Sequence, residues 1–136
     1  MDQFAIVLNE LGELIGVPLV PDHARSCGLI INGALHLQIK EEDVQDRLLI
    51  STFFGELPPG RFQEIVLKEL LKENGASPRI GTFCYSRRNN QLGFFTYATL
   101  SRLNGDLLSD VLELFLGRAF SWKAALETGQ MPKRLF

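Results

Sequence analysis

Apolar and polar positions recur along the chain with two different periods, and the switches between them mark the elements. From Asp2 to Ile15 the period is helical. Phe4, Val7, Leu8, Leu11, Leu14 and Ile15 share one stripe, Asn9, Glu10 and Glu13 lie opposite, and Ile6 sits off it. Asp2 can cap this helix, because its carboxylate can accept first-turn amide hydrogens and suits the positive end of the helix dipole. Gly16, with Pro18 close behind, ends it, and Val17 to Ser26 reads as an extended connection holding Pro18 and Pro21.

From Gly28 the period falls to two. Gly28 to Ile31 and Ala34 to Lys40 flank Asn32-Gly33, a hairpin signal because both central positions of a type I′ turn need positive φ. Leu35, Leu37 and Ile39 alternate with His36, Gln38 and Lys40, so one face of this strand is apolar and the other wet. Glu41 to Asp46 reads as a solvated charged turn before a third strand, Arg47 to Phe54. That strand carries Leu48, Ile50 and Phe54 on one face, Leu49 and Phe53 on the other. Leu57-Pro58-Pro59-Gly60 stops it and positions a second helix, Arg61 to about Glu73, closed by Asn74-Gly75. Thr82 to Arg87 and Gln91 to Thr99 form a second hairpin around Asn89-Asn90. A last helix from about Asp106 to Leu126 carries Leu108, Val111, Leu112, Phe115, Ala119, Trp122 and Leu126 on a narrow stripe. The order α-β-β-β-α-β-β-α predicts an α+β fold with helices packed on a twisted antiparallel sheet. A length of 136 residues suits one domain over 1–136, with a loosely ordered tail over 128–136.

Composition narrows the functional classes. A hydrophobic share of 46% supplies enough apolar material to offset the entropy of ordering, so a wholly disordered chain is excluded. A net charge of -2 has the wrong sign for general nucleic-acid binding, which needs basic side chains to displace counterions. No apolar run approaches the ~20 residues that span a bilayer, and Met1-Asp2-Gln3 is acidic where a secretory leader would be basic. The expectation is a cytosolic chain that does not insert into membranes.

Candidate chemistry is sparse. Cys27 and Cys84 lack the close spacing of a zinc or redox motif and are expected to be reduced, buried thiols. His23 and His36 fall on a connection and on a polar strand face, where surface roles are expected. Asp22, His23 and Cys27 make a weak metal cluster without a second group. The glycine-containing stretches lack phosphate-wrapping spacing, and Arg87-Arg88 suits a soluble hairpin end. No catalytic residue, metal or cofactor is expected, and the chain is not expected to be an enzyme.

What stands out is apolar surface in excess of one core. In the second helix Phe62, Ile65 and Val66 define one face, and Leu67, Leu70 and Leu71 continue around the cylinder. Together they cover an arc of roughly 240°, against the ~100° that one core needs. Phe83 and Tyr85 share one face of the second hairpin, while Phe94 and Phe95 point to opposite faces. Such a pattern predicts a subunit interface, most simply that of a twofold homodimer.

These residues resemble the class I type III secretion chaperones, the Tir-chaperone (CesT-like) family, from Phe4 to Leu126. The likeness is carried by the opening helix, the Ile30-Ile31-Asn32-Gly33 hairpin, and Phe54-Gly55-Glu56-Leu57-Pro58 followed by Leu70-Leu71-Lys72-Glu73-Asn74. It continues through the Asn89-Asn90 hairpin to Phe115, Trp122 and Leu126. Asn32 stands where the family often has Asp. The resemblance implies a homodimer in a bacterial cytoplasm, associated with virulence. It would bind the N-terminal segment of a secreted effector, keep it extended and export-competent, and aid delivery to the secretion apparatus, with the secretion ATPase as a further partner. It also implies a dimer contact at Ile65, Val66, Leu67, Leu70, Leu71, Phe83 and Tyr85, and effector-binding patches at Phe4, Ile6, Leu8, Leu11, Leu35, Leu37, Leu49 and Phe53. A non-export α+β regulatory or scaffolding protein that binds a folded partner is the alternative that the residues leave open.

Overall fold

A computed structural model describes residues 2–76 and 80–132. The first helix, α1, spans Gln3–Ile15; Asp2 caps it by accepting the Ala5 amide hydrogen at 2.9 Å, and Gly16 ends it with φ 75°. The strands β1 (Ser26–Ile31), β2 (Leu35–Glu42) and β3 (Arg47–Glu56) follow as an antiparallel meander, turning first through Asn32 and Gly33, both at positive φ. Helix α2 (Arg61–Gly75) leads to β4 (Thr82–Ser86) and β5 (Gln91–Thr99), and α3 (Gly105–Thr128) closes the described fold.

The sheet is antiparallel throughout, in the order β1-β2-β3-β5-β4. The chain passes through α2, lays β4 at the far edge, and returns through β5 against β3. β1 and β4 are therefore the two free edges.

The period-two pattern turns one sheet face toward the helices. Leu35, Leu37, Ile39, Leu48, Ile50, Phe54, Leu92 and Phe94 are buried there with Phe4, Leu8 and Leu11 of α1 and Leu108, Phe115 and Trp122 of α3. Phe94 stacks between Phe83 at 4.4 Å and Phe115 at 4.8 Å, centroid to centroid. A methyl group at Gly105 would lie 2.6 Å from Glu10 Cβ, so the crossing of α1 and α3 requires glycine there. Arg25 fastens the start of α1 to the sheet. Its guanidinium bridges Asp2 at 2.9 Å and Glu41 at 2.8 Å and lies over the Phe4 ring.

Several expectations change. Glu41 and Glu42 belong to β2, Asp43–Gln45 is a short 3-10 turn, and the Glu41 side chain is almost fully covered by its ion pair with Arg25. This is an ordered corner, because Asp46 also accepts hydrogen bonds from the Ser101 amide and hydroxyl. Leu14 and Ile15 share the α1 stripe yet are exposed, since the stripe outruns the part of the helix that faces the core. Cys27 is buried, but Cys84 is exposed, on the helix-free face of β4. A 3-10 turn at Leu100–Arg102, which buries Leu100, has no counterpart in the sequence reading. The last helix continues to Thr128, inside the expected loose tail; positions 133–136 of that tail lie outside the described residues.

Candidate docking surfaces

Apolar side chains outside the core collect on three surfaces. The first joins α2 to β4. Val66, Leu70 and Phe83 turn into the protomer and are buried, whereas Leu71 is 71% exposed and Ile65, Leu67 and Tyr85 are exposed beside it. Leu67, Leu71 and Tyr85 line a shallow groove of about 150 Å³ whose inner wall is Leu70, Phe83 and Leu92. Asn74 holds the helix to the strand: its side-chain carbonyl accepts the Phe83 amide hydrogen at 2.8 Å, and its Nδ2 donates to the Phe83 carbonyl at 3.0 Å.

The second surface is the helix-free face of the sheet. The register puts Leu49 opposite Tyr97, Ser51 opposite Phe95 and Phe53 opposite Gly93, all on this face. Phe53 is 49% exposed and Leu49 half-buried, and the Arg47 guanidinium lies 3.8 Å from the Tyr97 ring centroid. Toward β1 this face forms a groove of about 600 Å³ between Ile30, His36, Gln38, Ser51 and Phe53. The third surface is a groove of about 300 Å³ under the β1 edge, lined by Leu11, Ile15, Leu29, Ile31, Leu112 and Leu116.

The residues expected to bind an effector therefore divide. Phe4, Leu8 and Leu35 are sealed in the core, and Leu11 and Leu37, also buried, contribute only groove walls. Ile6, Leu49 and Phe53 reach the surface. The reason is parity: Leu35 and Leu37 are on the helix-covered face, and Phe4, Leu8 and Leu11 form the part of the α1 stripe that α3 and the sheet cover. Of the residues expected at a dimer contact, Ile65, Leu67, Leu71 and Tyr85 are exposed, while Val66, Leu70 and Phe83 pack inward. Ile30, Tyr97, Leu116 and Asn74 went unnoticed as surface-forming residues. Strand parity could have found Ile30 and Tyr97, but no local signal marks Leu116 or Asn74.

The sequence profile of the Tir chaperone protein (CesT) family matches residues 7–123. The chain belongs to that family. Its fold agrees with solved structures at low identity. A chain of the HopA1–SchA chaperone–effector complex superposes with a TM-score of 0.75 at 17% identity, covering 90% of this chain and 94% of that one. A chain of the Yersinia pestis type III secretion chaperone SycH in complex with a YscM2 fragment gives 0.71 at 14% identity, over 86% and 97%. A chain of the Pseudomonas aeruginosa ExoT–SpcS complex gives 0.66 at 14%, over 87% and 95%. No curated protein sequence matches the chain.

Neither cysteine of this CesT-family chain is an activated thiol. Burial raises the Cys84 thiol pKa above its ordinary value, opposed by a backbone hydrogen bond from Gly93, and burial raises Cys27 with help from the Asp22 charge. Both thiols stay protonated near neutrality, which makes them poor nucleophiles. Among the described residues no helix is long and apolar enough to cross a membrane.

Proposed function

We propose that this chain is a type III secretion chaperone of the bacterial cytosol. It acts without catalysis, as a homodimer joined through α2 and β4, and holds the N-terminal segment of a secreted effector extended for export. The observation that carries the reading is the family profile over residues 7–123, on a chain whose apolar excess lies on separate surfaces. The HopA1–SchA neighbour is a chaperone–effector complex, which supports the same role here. Physically, the exposed α2 side chains Ile65, Leu67 and Leu71 suit a second copy. Ile6, Leu49 and Phe53 suit a client segment, which must cover a large area to offset its own ordering entropy.

Co-expression with candidate secreted effectors from the source bacterium tests this. The expected product is a complex of two chaperone chains and one effector chain, in which limited proteolysis spares only the bound N-terminal segment. A monomer that retains no client would overturn the proposal. Protection of a compact domain of the partner instead of a segment would favour a regulatory protein that binds a folded target.

A further inference from the structure

We propose that client-free copies of this chain stack head to tail, the outward face of α3 in one copy covering the helix-free face of the sheet in the next. The contact itself stands on the chemistry of the two faces. Its consequence, that an arriving client displaces the neighbouring copy, rests on the chaperone reading.

A sheet with helices on one side leaves its other face without a covering layer. Here that face carries Leu49, Phe53, Phe95 and Tyr97, and the Phe95 and Tyr97 rings meet edge to face at 5.8 Å. Its cations gather at one end. Lys40 lies opposite Leu49 in the register, is exposed, and forms no ion pair among the described residues. Arg47 lies over the Tyr97 ring and is balanced by Glu42 at 2.6 Å. The uncompensated charge beside Leu49 and Tyr97 is therefore positive.

Helix α3 presents the counterpart. It turns Leu108, Phe115, Ala119 and Trp122 to the core and leaves Leu107 and Leu114, on its far side, 47% and 61% exposed. Seven residues of helical rise put the two leucines about 10 Å apart on one face. That is comparable with the ~13 Å between Leu49 and Phe53, four strand residues apart. Asp106, Asp110 and Glu113 flank the leucines, are exposed, and have no ion pair among the described residues. A single exposed leucine is ordinary. Two in register, flanked by three free carboxylates, make a face that matches the sheet in spacing and opposes it in charge.

Leu107 and Leu114 lie on the opposite side of the sheet from Leu49 and Tyr97, so one copy cannot make this contact with itself. Between copies it brings Asp110 to Lys40 and lays the two leucines on the aromatic face. Such a contact is heterologous: each added copy leaves one face of each kind open, and the stack grows with concentration. One helix face buries less than a stable complex needs, so the association is weak, with Kd on the order of 0.1 mM. A client that crosses Leu49 and Phe53 takes the place of the neighbouring α3, and loading disperses the stack.

The test is sedimentation equilibrium of the full chain, without client, from about 10 μM to about 1 mM. The mass should rise with concentration beyond its dilute value, and the rise should shrink in about 1 M salt, where screening shortens to ~3 Å. Lys40→Asp and Asp110→Lys sit at exposed positions, should keep the wild-type circular dichroism, and should each weaken the association about tenfold. An equimolar mixture of the two variants should restore it, because every contact between unlike copies then joins opposite charges. Leu114→Gln should weaken it with no change of charge. A mass that keeps its dilute value throughout the range, an association indifferent to both reversals, or a mixture no stronger than either variant alone would overturn the proposal. The two readings fail separately. Stacking by a chain that retains no secreted protein on co-expression discards the chaperone reading alone. A chain that retains one, yet keeps its dilute mass without it, discards the stack alone.

Discussion

Phe4 and Ile6 stand two positions apart on α1 and meet opposite fates: Phe4 is fully buried and Ile6 is 38% exposed. Phe4→Asp should unfold the protein, since an unpaired carboxylate in the core costs several kcal/mol. Ile6→Asp should leave the fold and the dimer intact while weakening effector retention; circular dichroism and co-purification distinguish the two, and equal loss of both functions would refute that division. Asp2 makes a second individual contribution. Hydrogen bonds from the Arg25 guanidinium and the Ala5 amide hold its pKa below the ordinary carboxylate range. A carboxylate with a depressed folded pKa stabilises the fold fully above its unfolded pKa, and that contribution is lost as the pH falls through the folded value. The stability difference between wild type and Asp2→Ala should therefore be constant near neutrality, shrink below about pH 4, and reach its minimum beneath the folded pKa. Urea midpoints measured across this range provide the check.

Helix α2 depends on one side chain for its attachment to β4. Asn74 satisfies both backbone groups of Phe83, a buried residue, so it anchors the helix and closes the strand edge together. Asn74→Ala should lower stability by about 1–3 kcal/mol, because the Phe83 amide and carbonyl lose their partners. Asn74→Asp, which keeps the acceptor but turns a carboxylate oxygen toward the Phe83 carbonyl, should lose at least as much. Denaturant unfolding of both variants tests this, and wild-type stability in both would mean that the packing of Val66 and Leu70 holds α2 without the clamp. The ion pair of Arg118 on α3 with Glu73 ties the same end of the helix to α3.

The exposed faces matter most for assembly. Leu67 and Leu71 lie outside the protomer's core, so Leu67→Asp and Leu71→Asp should leave each protomer folded. They should also place carboxylates in the proposed twofold contact and weaken dimerisation at least tenfold. Sedimentation equilibrium reads this directly; an unchanged dimer mass would place the contact elsewhere. Because the proposed client and dimer surfaces use different elements, the dissociated variants should still bind effector through one protomer, more weakly than the dimer does.

Much of this architecture was legible in the chain. Caps, breakers and the two hydrophobic periods act within a few residues, so Asp2, Gly16, Asn32-Gly33, the β5 span and most of the α3 stripe could be read directly. The excess of apolar residues on α2 could be read as well, since it is a count around one helix. Tertiary structure alone decided how that excess is divided. Leu70 is buried and Leu71 exposed, Leu35 is sealed and Phe53 open, because strand order and helix crossings determine which face is covered. The same holds for the edges: Asp22 and Asn74 close backbone positions on strands they do not belong to, and a single side chain bonded to backbone leaves no periodic trace in the sequence.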